Sequence, residues 1–259
     1  MSEPLVSICI PTYEMHGRGL EFLQHSIERI KTQKFTRFEV VVSDNSRNDD
    51  IKRYCETQVE FLNLIYVKNK RKIGISANIN FAMEHARTDV VKVLFQDDFF
   101  YNNNALDHLY KVWNEKDRKW LVSASVHSHD GESFYHTLVP KFHPKIFLGS
   151  NTISSPSFLM ISRNEAPRFD ESLTWLMDCD YYKMCFDKFG LPAICEEPTV
   201  VNRVGTHQVS QSGVTRKIQI TELGYVMKKY ALDLSFFDRV KTIKYLIPTR
   251  FRNLLRKFT

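Results

Sequence analysis

Four short apolar runs that each end in polar residues constrain this chain more than anything else in it. Val6-Ser7-Ile8-Cys9-Ile10 stops at Pro11 and Thr12-Tyr13, and Phe38 to Val42 ends in Ser43-Asp44-Asn45-Ser46. Leu64 to Val67 is a third run, and Val90 to Phe95 leads straight into Gln96-Asp97-Asp98. Helical spacing follows: Leu20, Leu23, Ile27 and Ile30 after the first run, Ile75, Ile79, Ala82, Met83 and Ala86 after the third, Leu106, Leu109, Tyr110 and Trp113 after the fourth. Runs this short, rich in β-branched residues and bounded by turn formers, read as strands. Their near-continuous apolar character is what a sheet covered on both faces requires. The β-α-β alternation therefore predicts an α/β chain with a mostly parallel central sheet flanked by helices. Ligands of such sheets bind where the strands end at their carboxyl edge. Thr12, Asp44 and the Asp97-Asp98 pair converge there.

The 259 residues suffice for one large domain with a small annex. The division expected is a domain over 1–215 and a helical extension over 216–259. Hydrophobic residues make up 43% of the chain and charged residues 25%, which excludes a disordered chain. The formal net charge of +6 suits an anionic partner, a nucleotide or an acidic membrane surface among them. A nucleic acid would suit the charge too, but no basic-aromatic motif supports one and the acidic pairs speak against it. The five cysteines (Cys9, Cys55, Cys179, Cys185 and Cys195) include no C-x-x-C pair, so neither a disulfide framework nor a zinc site is expected. No leader and no membrane-spanning run is legible, and a cytoplasmic placement follows as the expectation.

The second half is less regular. His127, His129, His136 and His143 fall among Ser, Gly and Pro at spacings that match no ligand motif, so they read as surface or acceptor-loop histidines. Ser157 to Ile161 reads as a strand, and Asp180 to Lys188, closed by Gly190, as a helix.

Two acidic sites carry the chemistry. Asp97 and Asp98 follow a buried strand, where adjacent carboxylates repel unless a cation sits with them. Mg²⁺ or Mn²⁺ takes oxygen ligands and commonly a few carboxylates plus substrate phosphates. On an extended strand the two side chains would point to opposite faces, one to the metal and one to the loop. At Asp178-Cys179-Asp180, behind the apolar Trp175-Leu176-Met177, one carboxylate can cap a helix while the other serves as a general base with a raised pKa.

Taken in order, these segments resemble the family 2 glycosyltransferases, which adopt the GT-A fold. The resemblance spans roughly Val6 to Gly205. It rests on Val6 to Tyr13, Val40 to Ser46, Gly74-Ile75-Ser76-Ala77-Asn78-Ile79-Asn80, Gln96-Asp97-Asp98, and Phe169-Asp170-Glu171-Ser172-Leu173 leading into Asp178-Cys179-Asp180. It implies an inverting, metal-assisted hexosyl- or related sugar transferase that uses a nucleotide-sugar, most simply a UDP-sugar. The acceptor would be a glycan or a lipid-linked sugar of surface polysaccharide synthesis. A nucleotide site of Pro11, Thr12, Tyr13, Asp44, Gly74, Asn78, Gln96 and Asp97 is implied, with Thr12 and Asp44 at the base and ribose. Asp98 and His207 would lie at the metal, Asp178 would be the base, and Arg203 would neutralise the leaving group.

The family's metal motif is Asp-x-Asp, and here its first position is Gln96, which can hydrogen-bond a ribose hydroxyl but cannot share a metal's charge. A catalytically inactive nucleotide- or glycan-binding relative is the alternative this departure motivates. A nucleotidyltransferase with a related core would open on a Gly-rich phosphate loop, where this chain has Pro11-Thr12-Tyr13. Phe251, Leu254, Leu255 and Phe258 share one helical face with Arg252, Arg256 and Lys257 around it, a pattern that suits either an anionic membrane surface, on the inner face of the membrane, or packing on the domain.

Overall fold

A computed structural model describes residues 3–71, 74–117, 119–205, 213–239 and 242. Its nine strands are β1 (Val6–Thr12), β2 (Phe38–Asp44), β3 (Leu64–Lys68), β4 (Val90–Val93), β5 (Phe99–Phe100), β6 (Trp120–Ser128), β7 (Tyr135–Leu138), β8 (Leu159–Ser162) and β9 (Ala193–Arg203). The helices are α1 (Gly19–Lys31), α2 (Asp50–Gln58), α3 (Ile75–His85), α4 (Ala105–Lys116), α5 (Met177–Phe189) and α6 (Arg216–Lys229). All strands join one sheet in the order β3-β2-β1-β4-β8-β6-β9-β5, with β7 beside β6.

The first half follows the expectation: β3, β2, β1 and β4 are parallel neighbours. Beyond β4 the sheet becomes mixed rather than mostly parallel. β8 runs antiparallel to both β4 and β6, β5 is antiparallel to β9 and β7 to β6, while β6 and β9 are parallel. Antiparallel pairing can be reached through irregular connections without a covering helix. The stretch between β6 and β8 is built that way, from the β7 hairpin and short 3₁₀ turns.

Side-chain alternation explains the continuous apolar runs. Ile8, Ile10, Val40, Val42 and Leu121 pack with α1, α2 and α4 on one face. Cys9, Val41, Val91, Val93, Trp120 and Val122 pack with α3, α5 and α6 on the other. Each strand thus supplies alternate residues to two cores. All five cysteines are buried and free, as core hydrophobes. No helix among the described residues is long and apolar enough to cross a membrane.

Two boundaries differ in ways that matter for the site. β4 stops at Val93, and residues 94–98 form a turn in which the Asp98 N–H reaches the Phe95 carbonyl (3.0 Å). Asp97 and Asp98 therefore do not alternate across a strand; the turn gathers both. α5 begins at Met177, three residues before the expected Asp180, and its N-terminus has no side-chain cap of its own. The residues of α6 replace that cap, as described below. His207 and the basic apolar stretch 244–258 lie outside the described residues.

Candidate active site

A cavity of about 420 Å³ opens at the carboxyl ends of β1, β2 and β4 and is closed on the far side by the start of α5. Pro11, Tyr13, Asn45, Gly74 and Asn78 line one part, Gln96, Asp97, Asp98 and Asn202 another, and Trp175, Met177 and Asp178 the wall that α5 begins. Gly74 adopts φ 135° at the head of α3, a conformation in which any side chain would be strained.

Several polar residues here build the cavity rather than face into it. Asn78 donates through Nδ2 to the Thr12 and Ser43 carbonyls (3.0 Å each), and its Oδ1 accepts from Ser43 Oγ (2.5 Å) and Asn69 Nδ2 (3.3 Å). Its amide ties the ends of β1 and β2 together. Thr12 is buried behind the lining, with its hydroxyl donating to the Ser43 carbonyl (3.2 Å). The Asp44 carboxylate is likewise buried, accepting from the Ser46 N–H (2.7 Å), Tyr66 Oη (2.7 Å) and Lys68 Nζ (2.9 Å). Thr12 and Asp44, expected at the base and ribose, are thus held behind the cavity lining, while Asn78 is among the lining residues with its amide committed to the strand ends. Strand ends that meet at a cavity leave backbone groups unpaired, and these side chains pair them.

Gln96 lines the cavity as well, with its amide engaged by the backbone. Its Oε1 accepts from the Tyr13 N–H (2.7 Å), and its Nε2 donates to the Tyr13 carbonyl (3.0 Å) and the Gly19 carbonyl (2.9 Å). With both amide hydrogens used, only Oε1, which accepts one bond here, is left to meet a ribose hydroxyl. Gln96 staples the loop 13–19 to the end of β4, a task that needs a donor and an acceptor in one side chain and that no Asp could perform. Gly19 is the partner requirement, since a Cβ there would sit 2.0 Å from the Tyr13 carbonyl oxygen and 2.9 Å from the Glu14 carbonyl carbon. Gly19→Ala is expected to force this loop apart at a cost of about 1–3 kcal/mol, lowering the melting temperature by about 2–4 °C per kcal/mol. A melt unchanged within error would show that the loop yields freely.

Asp97 and Asp98 remain as cavity carboxylates. Asp98 Oδ1 accepts from the Arg203 N–H (3.0 Å) and Asn202 Nδ2 (3.2 Å), while Oδ2 meets Ser155 Oγ at 3.4 Å. Burial, and next the charge of Asp97, raise the Asp98 pKa; Arg203 N–H and the buried Lys92 oppose the rise. Lys92 itself is enclosed between β4 and β8, where Nζ donates to the Val93 carbonyl (2.7 Å) and the Ser157 carbonyl, and burial pushes its pKa down to about 7. Among the described residues no cluster of three or more His, Cys, Asp or Glu is present. A divalent cation held by one or two carboxylates and completed by substrate phosphates needs no such cluster. The oxygen-only donor pair, whose mutual repulsion a cation would relieve, fits Mg²⁺ or Mn²⁺.

Arg203 serves this site by bracing the turn after β4: its N–H donates to Asp98 Oδ1 and its Nε to the Asp97 carbonyl (3.3 Å). The side chain turns to the α1 face, stacked over Phe22 (5.1 Å) and Phe99 (5.4 Å), with Nη2 2.8 Å from His25 Nδ1. Burial, then Arg203, lowers the His25 pKa, so the ring stays neutral and accepts. The expected leaving-group role of Arg203 is therefore not met: β9 alternates, and the cavity face at this point belongs to Asn202.

Asp178 is the half-buried carboxylate of the opposite wall. Oδ1 accepts from the Cys179 N–H (2.7 Å) and Oδ2 from Asn151 Nδ2 (2.7 Å). Burial pushes its pKa up to about 6, against these hydrogen bonds. Asn151 is itself fixed, its Oδ1 accepting from the Ile153 and Ser154 N–H groups (3.0 and 2.8 Å). Asp180 points away, held by Lys229 Nζ (2.8 Å) and Tyr230 Oη (2.7 Å), and neither member of the pair takes the cap role expected for one of them. The start of α5 is capped from α6: Glu222 Oε1 accepts from the Thr174 N–H, and Oε2 from those of Trp175 and Leu176, each at 2.8 Å. Neither Asn151 nor Glu222 carries a local signal, because their partners lie 27 to 48 residues away.

Comparison with known proteins agrees with this architecture. Residues 7–183 match the model of glycosyl transferase family 2. An uncharacterized glycosyltransferase of Methanocaldococcus jannaschii is 25% identical over 193 residues, covering 71% of this chain and 66% of that protein. An uncharacterized protein of Mycobacterium tuberculosis is 29% identical over 97 residues, 38% of this chain and 29% of its own length. The chain thus spans just under two thirds of the first relative and under a third of the second. Among solved structures, S. aureus TarS 1–349 in complex with UDP-GlcNAc superposes with a TM-score of 0.70 at 16% identity, over 93% of this chain and 70% of that one. The mannosyltransferase PcManGT from Pyrobaculum calidifontis, in complex with GDP-Man and Mn²⁺, gives 0.56 at 13% identity, over 98% and 84%. With its cavity at the strand ends, its GT-A architecture and a family match over most of its length, the chain belongs to glycosyl transferase family 2.

Proposed function

We propose that this chain transfers a sugar from a nucleotide-diphosphate donor to a hydroxyl of a glycan or lipid-linked acceptor, with inversion at the anomeric carbon, in surface polysaccharide synthesis. The observation that carries the reading is one cavity that receives Asp178 from α5 and Asp97 with Asp98 from the turn after β4. A UDP-sugar is the donor proposed, by likeness of fold to a protein solved with UDP-GlcNAc.

In this reading the nucleotide lies between Tyr13, Asn45 and Gly74, on the floor that Thr12, Asp44, Asn78 and Gln96 hold in shape. A bound Mn²⁺ or Mg²⁺ would supply charge neutralisation for the leaving diphosphate, and Asp97 and Asp98 would hold it. Asp178 takes the proton of the acceptor hydroxyl as its oxygen bonds to the anomeric carbon. The nucleotide diphosphate leaves with the electron pair of the broken bond. One displacement suffices, so no nucleophilic side chain is required. A base with a pKa near 6 is mostly ionised at neutral pH and still basic enough to help, which suits Asp178. The Trp175–Met177 wall beside it supplies the apolar surroundings that keep it there.

Thermal unfolding with UDP, GDP, dTDP and CMP, each with Mn²⁺ and with EDTA, tests the donor site. A ligand at about a hundredfold over its dissociation constant adds roughly 2.7 kcal/mol to the folded state. One diphosphate is expected to raise the melting temperature in Mn²⁺ and less in EDTA. No shift with any nucleotide would sink the nucleotide site. A shift without turnover of any donor would favour an inactive binding protein, the second reading that Gln96 motivates.

A further inference from the structure

The three most exposed large apolar side chains among the described residues fall within six positions of one another: Leu232 (103% exposed), Phe236 (74%) and Phe237 (77%). They do not dangle. Leu234 between them is buried in the core with Val226 and Tyr230. Ser235 and Asp238 then cap one another, the Asp238 N–H donating to Ser235 Oγ (3.2 Å) and the Ser235 N–H to Asp238 Oδ2 (3.0 Å). Lys145 Nζ pins Asp238 to the domain at 2.5 Å, and Arg239 Nη2 returns to the Ala231 carbonyl (2.6 Å). The fold therefore holds Leu232, Phe236 and Phe237 outward on a braced turn. Scattered apolar residues on a surface need no explanation, but a fixed group of this kind does.

The charge that follows is of one sign. Residues 239–259 carry Arg239, Lys241, Lys244, Arg250, Arg252, Arg256 and Lys257 and no Asp or Glu. Removing these seven from the 36 Lys and Arg leaves 29 against 30 Asp and Glu, so the rest of the chain has a net charge of −1. All of the protein's excess positive charge thus lies in the sequence that follows the exposed patch. An apolar group that can enter the headgroup region, joined to a polybasic segment, is the pair of signals that reversible binding to an anionic bilayer requires. A neutral or zwitterionic partner would leave the basic residues without a counterpart.

We infer that Leu232, Phe236 and Phe237 form a membrane-docking surface that seats the protein on an anionic lipid bilayer, with the adjoining basic residues as the electrostatic half of the contact. The proposed function supplies only the purpose of this contact, a lipid-linked acceptor held at the bilayer; lipid binding itself needs no turnover, so either idea can fail without the other.

The test is co-sedimentation of the full chain with phosphatidylcholine vesicles with and without phosphatidylglycerol, beside the variant Leu232→Ser/Phe236→Ser/Phe237→Ser. The wild type is expected to pellet only with the anionic vesicles, and the variant to bind them at least about tenfold more weakly with an unchanged thermal melt. Leu232→Ser alone, at a fully exposed position, is expected to weaken binding measurably should the triple variant prove unstable. Failure of the wild type to bind anionic vesicles overturns the inference. So does equal binding by the variants, which would leave the basic residues acting alone. A dimer that the triple variant dissolves, with no vesicle binding by either protein, would overturn it in favour of a second copy on this surface.

Discussion

Asp178→Asn is expected to lower the transfer rate by about 10²–10⁴ while leaving donor binding close to that of the wild type. Asn preserves the shape but keeps one acceptor oxygen where Asp178 accepts on Oδ1 from the Cys179 N–H and on Oδ2 from Asn151 Nδ2, and it cannot take a proton. The wild-type rate should fall about tenfold per pH unit below pH 6, because the protonated form, set by the raised pKa of about 6, is inactive. Stability should move the other way. A carboxyl whose folded pKa lies above its unfolded value contributes stability below about pH 4, and that contribution is lost as pH rises through about 6. At pH 7 the ionised Asp178 is therefore a burden on the fold. Asn should relieve at most about 3 kcal/mol of it, less with the solvent access this side chain keeps. Asn151→Ala should shift the acid limb upward, since it removes a donor that favours the carboxylate. Full turnover by Asp178→Asn would eliminate this residue as the base; a normal rate with a lowered melting temperature would reverse both halves of the argument.

The second large effect is expected at a residue that does not line the cavity. Glu222 is buried, and its carboxylate receives three consecutive backbone N–H groups at the start of α5. Those groups have no intrahelical partner, and a helix N-terminus also favours an anion electrostatically. Glu222→Ala leaves them facing an apolar gap, a loss of about 3–5 kcal/mol. The melting temperature should fall by about 10 °C or more. Donor stabilisation should fall with it, because Thr174 and Trp175 are both capped by Glu222 and part of the cavity wall. Glu222→Gln keeps one acceptor oxygen but turns an NH₂ toward donors, and should lie between. A Glu222→Ala melt within a degree or two of the wild type would mean that water replaces the carboxylate at little cost.

The two predictions mark where local signals end. Asp178 was legible because an acidic residue behind Trp175-Leu176-Met177 is a local pattern. Its orienting partner Asn151, and the Glu222 that caps its helix, were not, since both act across the fold on residues 27 to 48 positions away. Gln96 is the converse case. Read along the chain it is a carboxylate missing from a metal motif. In three dimensions it is the residue that binds both backbone groups of Tyr13. Arg203 likewise follows a suggestive sequence but stacks on Phe22 and Phe99 outside the cavity lining, with Nε on the Asp97 carbonyl.

The first sheet half, the order of its helices and the polar strand ends around one cavity were determined by the sequence itself. Apolar periodicity and turn residues act over a few positions, and right-handed crossovers leave little choice of topology. The antiparallel insertion of β8 between β4 and β6, the turn that gathers Asp97 with Asp98, and the division of Asp178 from Asp180 were decided only by tertiary structure. Each of these depends on which distant backbone group a side chain satisfies, and hydrogen-bond pairing across the fold leaves no period in the chain.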